Sequence, residues 1–287
     1  MIRLKPTKDL EKIRIAGKVL ASILDDLCRQ TKVGMSTSDL NDLALDLMKK
    51  AGAEPVLLGY KPTFAPKAYP AAICTSVNDV VQHGIPSDDM VLMQGDVINI
   101  DATIGFNGMI VDSGRTIGVG KIDKKSEELL RVTREALYVA IAEAKVGNHI
   151  GDIGYAISAY VKPFGFGVVE ALCGHGVGYA VHEDPMIPNF GKRGTGERIE
   201  VGMVLAIEPI VNIGSKEVEF DDEGDGYTVY SADGSRSAHF EHTVIITAEG
   251  PEIVAAIGMF ESLLAYSRYK LSASNSSFAL HPPIVCN

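Results

Sequence analysis

Apolar residues fall at helical spacing over 8–30 and again over 124–144, which predicts two long amphipathic helices. Each is followed by a short turn and a second helical run. The first of these runs begins at Leu40, Leu43 and Leu47, just after Asp39; the second lies beyond Asp152. Five segments, 71–82, 96–106, 109–119, 201–213 and 238–248, are rich in Val, Ile and Thr and bounded by Gly, Pro or Asp, the pattern of strands. Residues 186–200 and 221–226 read as loops. The tail from about residue 271 is Ser-rich and without periodicity, so it is expected to be partly disordered.

The two helical pairs echo one another. Lys32, Val33, Gly34, Asp39 and Gly52 recur as Lys145, Val146, Gly147, Asp152 and Gly165 at one constant offset. The expected fold is therefore α+β, with two related halves whose helices cover a shared sheet. Residues 1–258 are read as a single catalytic domain and 259–287 as a C-terminal extension.

Composition narrows the class. The chain has 287 residues, 46% of them hydrophobic and 22% charged, as in a soluble globular domain. A formal net charge of -10 argues against nonspecific nucleic-acid binding. No run of 18 apolar residues exists, so no membrane span is expected. The opening MIRLKPTKDLEKIR lacks an apolar signal core, and Cys28, Cys74, Cys173 and Cys286 show no paired spacing. Both points favour a reducing, cytoplasmic setting.

The most informative stretch is GDVINIDATIGFNGMIVDSGRT. Asn107-Gly108 is a strong signal for a two-residue hairpin, because both central positions favour positive φ. With that turn, Thr103 faces Asp112 and Asp101 faces Gly114. Asp101, Thr103 and Asp112 then share one face, with Ile98, Ile100 and Ile104 on the other. Two carboxylates aimed at one spot repel unless a cation sits between them.

Three histidines have special surroundings. His83 ends an apolar run, His175 is flanked by glycines that let its backbone approach a site closely, and His182 follows in AVHEDP. His149, His239, His242 and His281 receive the ordinary structural reading. Glu208, in GMVLAIEPIV, and Glu241, in SAHFEHTVIIT, sit inside apolar strands, where a carboxylate is costly unless paired or bound to metal. Asp101, Asp112, His175, Glu208 and Glu241 together offer four carboxylates and one imidazole. Their charge balances two divalent ions, and the donor set suits Mn, Fe, Co or Zn. No HExxH, GxSxG or P-loop motif competes.

The stretches ICTSVNDVVQHGIP, GDVINIDATIGFNGMIVDSGRT, CGHGVGYAVHEDP, GMVLAIEPI and FEHTVIITAEGPEI resemble, in order and spacing, the type I methionine aminopeptidases, metallopeptidases of the pita-bread fold. A weaker likeness runs over about 5–258. The resemblance implies that Asp101 and Asp112 hold one ion, that Asp112 and Glu241 bridge two, and that His175 and Glu208 complete the other. It places Thr103 beside a ligand aspartate, gives His83 and His182 to substrate contact and catalysis, and gives Tyr69 and Cys74 to the methionine pocket. It also implies attack by a water shared between the ions. Glu208 would move the proton, His182 would face the oxyanion, and His83 would face the scissile amide nitrogen. The substrates would be nascent polypeptides with a small second residue, met at the ribosome by a cytoplasmic monomer without membrane or nucleic-acid partners. Val181, Tyr227 and Gly114 depart from the family's usual residues, an aromatic, a Trp, and a Ser or Ala. A prolidase-like Xaa-Pro peptidase of the same fold, and a non-catalytic binding module, are the alternative readings.

Overall fold

A computed structural model describes residues 1–255 except 64 and 66. The expected tail, the extension 259–287 and His281 therefore lie outside the described residues. One helix pair leads each half: α1 (Thr7–Gln30) with α2 (Thr37–Ala51), and α3 (Lys124–Glu143) with α4 (Ile150–Val161). The echoed residues make equivalent turns. Gly34 and Gly147 take φ of 87° and 93°, and Gly52 and Gly165 take 71° and 72°. Asp39 and Asp152 do not precede their helices as expected. They lie within the first turn, as its third residue, where each carboxylate accepts a hydrogen bond at 2.8 Å from the backbone N–H of the N-cap residue, Ser36 or His149.

Strands β1 (Glu54–Pro55), β2 (Cys74–Val77), β3 (Val80–Gln82), β4 (Val97–Phe106) and β5 (Met109–Gly118) belong to the first half. The second carries β6 (Gly167–Val168), β7 (Cys173–Gly176), β8 (Glu183–Pro188), β9 (Val204–Ile207), β10 (Ile210–Asn212), β11 (Val218–Phe220), β12 (Val229–Ser231), β13 (Ser237–His239), β14 (His242–Thr247) and β15 (Gly250–Ile253). Hydrogen bonding orders them as β1-β4-β2 with β5 on β4, as β15-β14-β9-β7-β8, and as two three-stranded ladders, β13-β10-β6 and β11-β12-β3. One apolar core joins α1 and α2 to β4 and β5, through Ile13, Leu20, Leu24, Ile98, Ile100 and Ile104 among others. A second joins α3 and α4 to β9, β10, β13 and β14.

Three expected strands are broken, and the breaks matter. Segment 71–82 divides at Asn78, whose φ of 55° turns the chain between β2 and β3. Segment 201–213 divides at Glu208-Pro209, where proline has no N–H for the ladder. Segment 238–248 divides at Phe240-Glu241. Glu208 and Glu241 therefore lie in strand breaks, not within strands. The expected loop 186–200 also starts late, because β8 continues to Pro188. Among the described residues, no helix is long and apolar enough to cross a membrane.

Candidate metal centre

The hairpin β4–β5 turns at Asn107 and Gly108, with φ of 52° and 75°, in the register that the sequence implies: Thr103 opposite Asp112 and Asp101 opposite Gly114. Cys74 pairs with Asp101 across β2–β4, which sets the thiol on the aspartates' face. Ile98, Ile100 and Ile104 are fully buried on the other. The Asp112 backbone N–H donates to Thr243 Oγ1 at 2.9 Å, and that hydroxyl donates to the Asp112 carbonyl at 2.7 Å. Glu241 N–H donates to the Gly114 carbonyl at 2.9 Å. These bonds stitch the hairpin to the chain that carries Glu241.

The other side chains come from a corner where two paired strands leave one sheet together. Ile207 pairs with His242 in the first sheet, and Ile210 with His239 in the next. Glu208 and Glu241 occupy the gap between. His175 approaches on β7, and its neighbouring glycines permit this. A Cβ on Gly174 would lie 2.3 Å from the Ala206 carbonyl oxygen, and one on Gly176 would lie 2.2 Å from that of Asp184.

Asp101, Asp112, His175, Glu208 and Glu241 are all buried. Asp112, His175 and Glu241 each offer a ligand atom within 4.8 Å of the other two. His175 Nε2 stands 3.9 Å from Asp112 Oδ2 and 3.8 Å from Glu208 Oε1. His175 Nδ1 lies 2.9 Å from the Gly176 carbonyl oxygen. Nδ1 must carry the proton to make that bond, which leaves a lone pair on Nε2 facing the carboxylates. Asp101 Oδ1, Asp112 Oδ1 and Glu241 Oε1 are buried without a hydrogen-bond partner. Burial, and then the charge of Asp112, drives the carboxyls of Asp101 and Glu241 well above their ordinary range. Burial also raises Asp112, against the pull of His175 and Thr103. Burial acts to raise Glu208 too, but His239, His175 and His83 outweigh it and hold Glu208 low. Orphaned, crowded carboxyl oxygens beside an imidazole lone pair fit a divalent cation, which would relieve the repulsion.

The centre lies on the floor of a cleft of about 710 Å³. Tyr69, Cys74, Tyr227 and the partly buried Leu57 and Ile85 pack into an apolar wall. The Tyr69 and Tyr227 rings meet edge-on at 5.0 Å. Tyr69 donates to the Gly84 carbonyl at 3.0 Å, and Tyr227 to that of Lys67 at 2.5 Å, so both hydroxyls are tied back. Burial, then Asp101, pushes the Cys74 thiol up, so it stays neutral and serves as wall rather than ligand. His83 lines the cleft with φ of 59°, a left-handed conformation that costs a β-carbon residue free energy and is concentrated at functional sites. His182 is open to solvent at the mouth, 4.5 Å ring to ring from His175. Burial holds His83 at about 4. The cleft walls, then His175, bring His182 to about 4 as well, so both are neutral at pH 7.

Three further side chains meet the site without being candidates from the sequence alone. Tyr60 Oη lies 2.9 Å from His182 Nδ1. Gln82 Nε2 donates to Glu208 Oε2 at 2.9 Å. His239, given an ordinary structural role above, is fully buried beside the glutamates, 3.4 Å from Glu208 Oε2. Gln82 stands next to His83 in the sequence; nothing in the sequence marks Tyr60.

Residues 11–248 match the profile of Metallopeptidase family M24. A methionine aminopeptidase of Aquifex aeolicus is 43% identical over 260 residues, covering 89% of this chain and 99% of its own. The crystal structure of methionine aminopeptidase from Thermotoga maritima superposes with a TM-score of 0.84 at 40% identity, covering 89% of this chain and 99% of that one. The prolidase from Pyrococcus furiosus superposes at 0.69 with 25% identity, over 89% of this chain and 66% of its own.

Proposed function

Because the chain belongs to Metallopeptidase family M24, and within it to the methionine aminopeptidases with their pita-bread fold, we propose that it removes the N-terminal methionine from polypeptides with a small second residue. In this reading residues 1–258 form the catalytic domain. Asp101, Asp112, His175, Glu208 and Glu241 hold two divalent ions of the Mn, Fe, Co or Zn kind. Nascent chains at the ribosome are the substrates, and a cytoplasmic monomer is the working form. The observation that carries it is the set of buried, unpartnered carboxyl oxygens at the floor of an apolar cleft. Bound divalent ions supply Lewis acidity, lowering the pKa of water and polarising a carbonyl.

The chain's own residues then divide the work. Tyr69, Cys74 and Tyr227 receive the methionine side chain, whose flexible thioether suits a wall that includes a sulfur. If Tyr60 donates to His182 Nδ1, the proton of His182 sits on Nε2, where it can donate to the developing oxyanion. His83 faces the scissile amide nitrogen from the same cleft. Glu208, kept ionised by its imidazole neighbours, accepts a proton and passes it to the leaving amine.

The test is release of free methionine from Met-Ala-Ser against cleavage of Leu-Ala-Ser and of Xaa-Pro peptides. Met-Ala-Ser is expected to be cleaved best. Preference for Xaa-Pro peptides would move the protein to the prolidase branch. A finer expectation concerns Val181, a small buried residue in the cleft lining beside His182. A wider wall lowers discrimination, because each missing methylene contact is worth about 1–3 kcal/mol. Val181→Phe is therefore expected to raise the ratio of kcat/KM for Met-Ala-Ser over Leu-Ala-Ser; an unchanged ratio would remove Val181 from the pocket.

A further inference from the structure

His239 has no part in the five-ligand reading, yet it is fully buried and neither ring nitrogen has a hydrogen-bond partner. Leaving a buried imidazole unpaired is costly, so its placement needs a reason. Its backbone is firmly held. Its N–H donates to Thr116 Oγ1 at 2.9 Å, and its carbonyl accepts from Thr116 Oγ1 at 2.7 Å and Asn99 Nδ2 at 2.8 Å. Pairing with Ile210 fixes its direction at the strand break. The ring therefore points at the glutamate corner, with Nε2 3.4 Å from Glu208 Oε2 and 4.0 Å from Glu241 Oε2. Gly114 makes room for it: a Cβ there would lie 3.3 Å from His239 Cε1 and 3.5 Å from Nδ1, and at an ordinary contact distance of 3.5 Å from Asp101 Cβ.

We infer that His239 is a positioning residue for Glu208, a role that rests on the metal-centre reading above. With its proton on Nε2, the imidazole sets an N–H 3.4 Å from Oε2, beside the hydrogen bond from Gln82, and the two N–H groups together hold the carboxylate plane. Oε1 is then turned towards His175, on whose side the ion is to be held. With Gln82 as sole donor, the carboxylate is free to swing about its Cγ–Cδ bond. Direct ligation by His239 is the competing role. Its Nε2 stands 3.4 Å from Glu208 Oε2, the oxygen that Gln82 already holds, and 4.0 Å from Glu241 Oε2, which favours positioning.

The test uses the full chain with His239→Gln, His239→Leu and Gly114→Ala, read by cobalt titration, the visible spectrum of the bound cobalt, and kinetics on Met-Ala-Ser. His239→Leu is expected to weaken cobalt binding and kcat by about 10- to 100-fold. KM should stay within about threefold, because substrate binding is not altered. His239→Gln keeps an N–H donor and should retain both properties within about threefold, with an unchanged cobalt spectrum. Gly114→Ala crowds the ring, and should weaken cobalt binding in the His239 protein but not in the His239→Gln background. This comparison decides the matter even if His239→Leu does not fold. Equal losses in the Gln and Leu variants, with the same spectral change, would make His239 a ligand and overturn the inference. A folded, wild-type-like His239→Leu, or a Gly114→Ala effect independent of residue 239, would overturn it as well. A wild type that binds cobalt but releases no methionine would defeat the proposed function and leave the titrations to decide His239. A wild type that binds no cobalt would overturn both.

Discussion

Asp112→Asn and Glu241→Gln are each expected to lower kcat/KM for Met-Ala-Ser by more than roughly 10³-fold, about 4 kcal/mol at the transition state. Asp101→Asn should cost less. In the proposed two-ion centre Asp112 and Glu241 serve both ions and Asp101 only one; Asp112 and Glu241 also share a donor group with His175 within 4.8 Å. Metal analysis should show lost occupancy in Glu241→Gln. Equal, mild losses across the three, or unchanged metal content in Glu241→Gln, would contradict the arrangement. A stability effect of opposite sign accompanies the loss of activity. Burial, then Asp112, raises the Glu241 carboxyl well above its ordinary range, so without metal the folded state binds more protons there than the unfolded state. Stability from this group is full below the ordinary glutamate pKa of about 4.3 and falls as pH rises beyond it. At pH 7 metal-free Glu241→Gln should therefore melt at a higher temperature than metal-free wild type. A lower melting temperature would mean that the carboxylate has partners that the structure does not show.

His182→Ala is expected to reduce kcat by roughly 10²–10³-fold, the range for removing one oxyanion donor, while metal content stays intact. His182 lies at the cleft mouth against the ring of His175, with Nδ1 2.9 Å from Tyr60 Oη; in the proposed mechanism Nε2 is the atom that meets substrate. The imidazole is neutral at pH 7, so it acts as a fixed dipole and not as a charge. Tyr60→Phe removes only the group that orients the ring, and should cost about tenfold. Loss of bound metal in His182→Ala would show that His182 is a ligand. A Tyr60→Phe enzyme as impaired as His182→Ala would give the tyrosine a direct part in the chemistry.

Local signals made part of this site legible. Asn107-Gly108 fixes the hairpin and, through its register, the common face of Asp101, Thr103 and Asp112. The glycines beside His175 mark a strand pressed between two others, as the short distances from Gly174 and Gly176 bear out. The echoed Gly34 and Gly147 mark equivalent turns in the two halves. Contacts between distant segments left weaker traces. Glu208 and Glu241 stood out as carboxylates in apolar runs, but their place at a sheet-to-sheet corner depends on the pairing of Ile207 with His242 and Ile210 with His239. His239 looked like a core histidine because nothing local separates a packed imidazole from one aimed at a carboxylate. Tyr60 was invisible, since its partner His182 is 122 positions away in the chain.

Metal dependence is tested most simply by titrating metal-free protein with cobalt or manganese while free methionine released from Met-Ala-Ser is followed. The metal-free chain is expected to release none, and activity is expected to rise with added ion as a two-ion centre fills. Full activity in rigorously metal-free protein would contradict metal dependence.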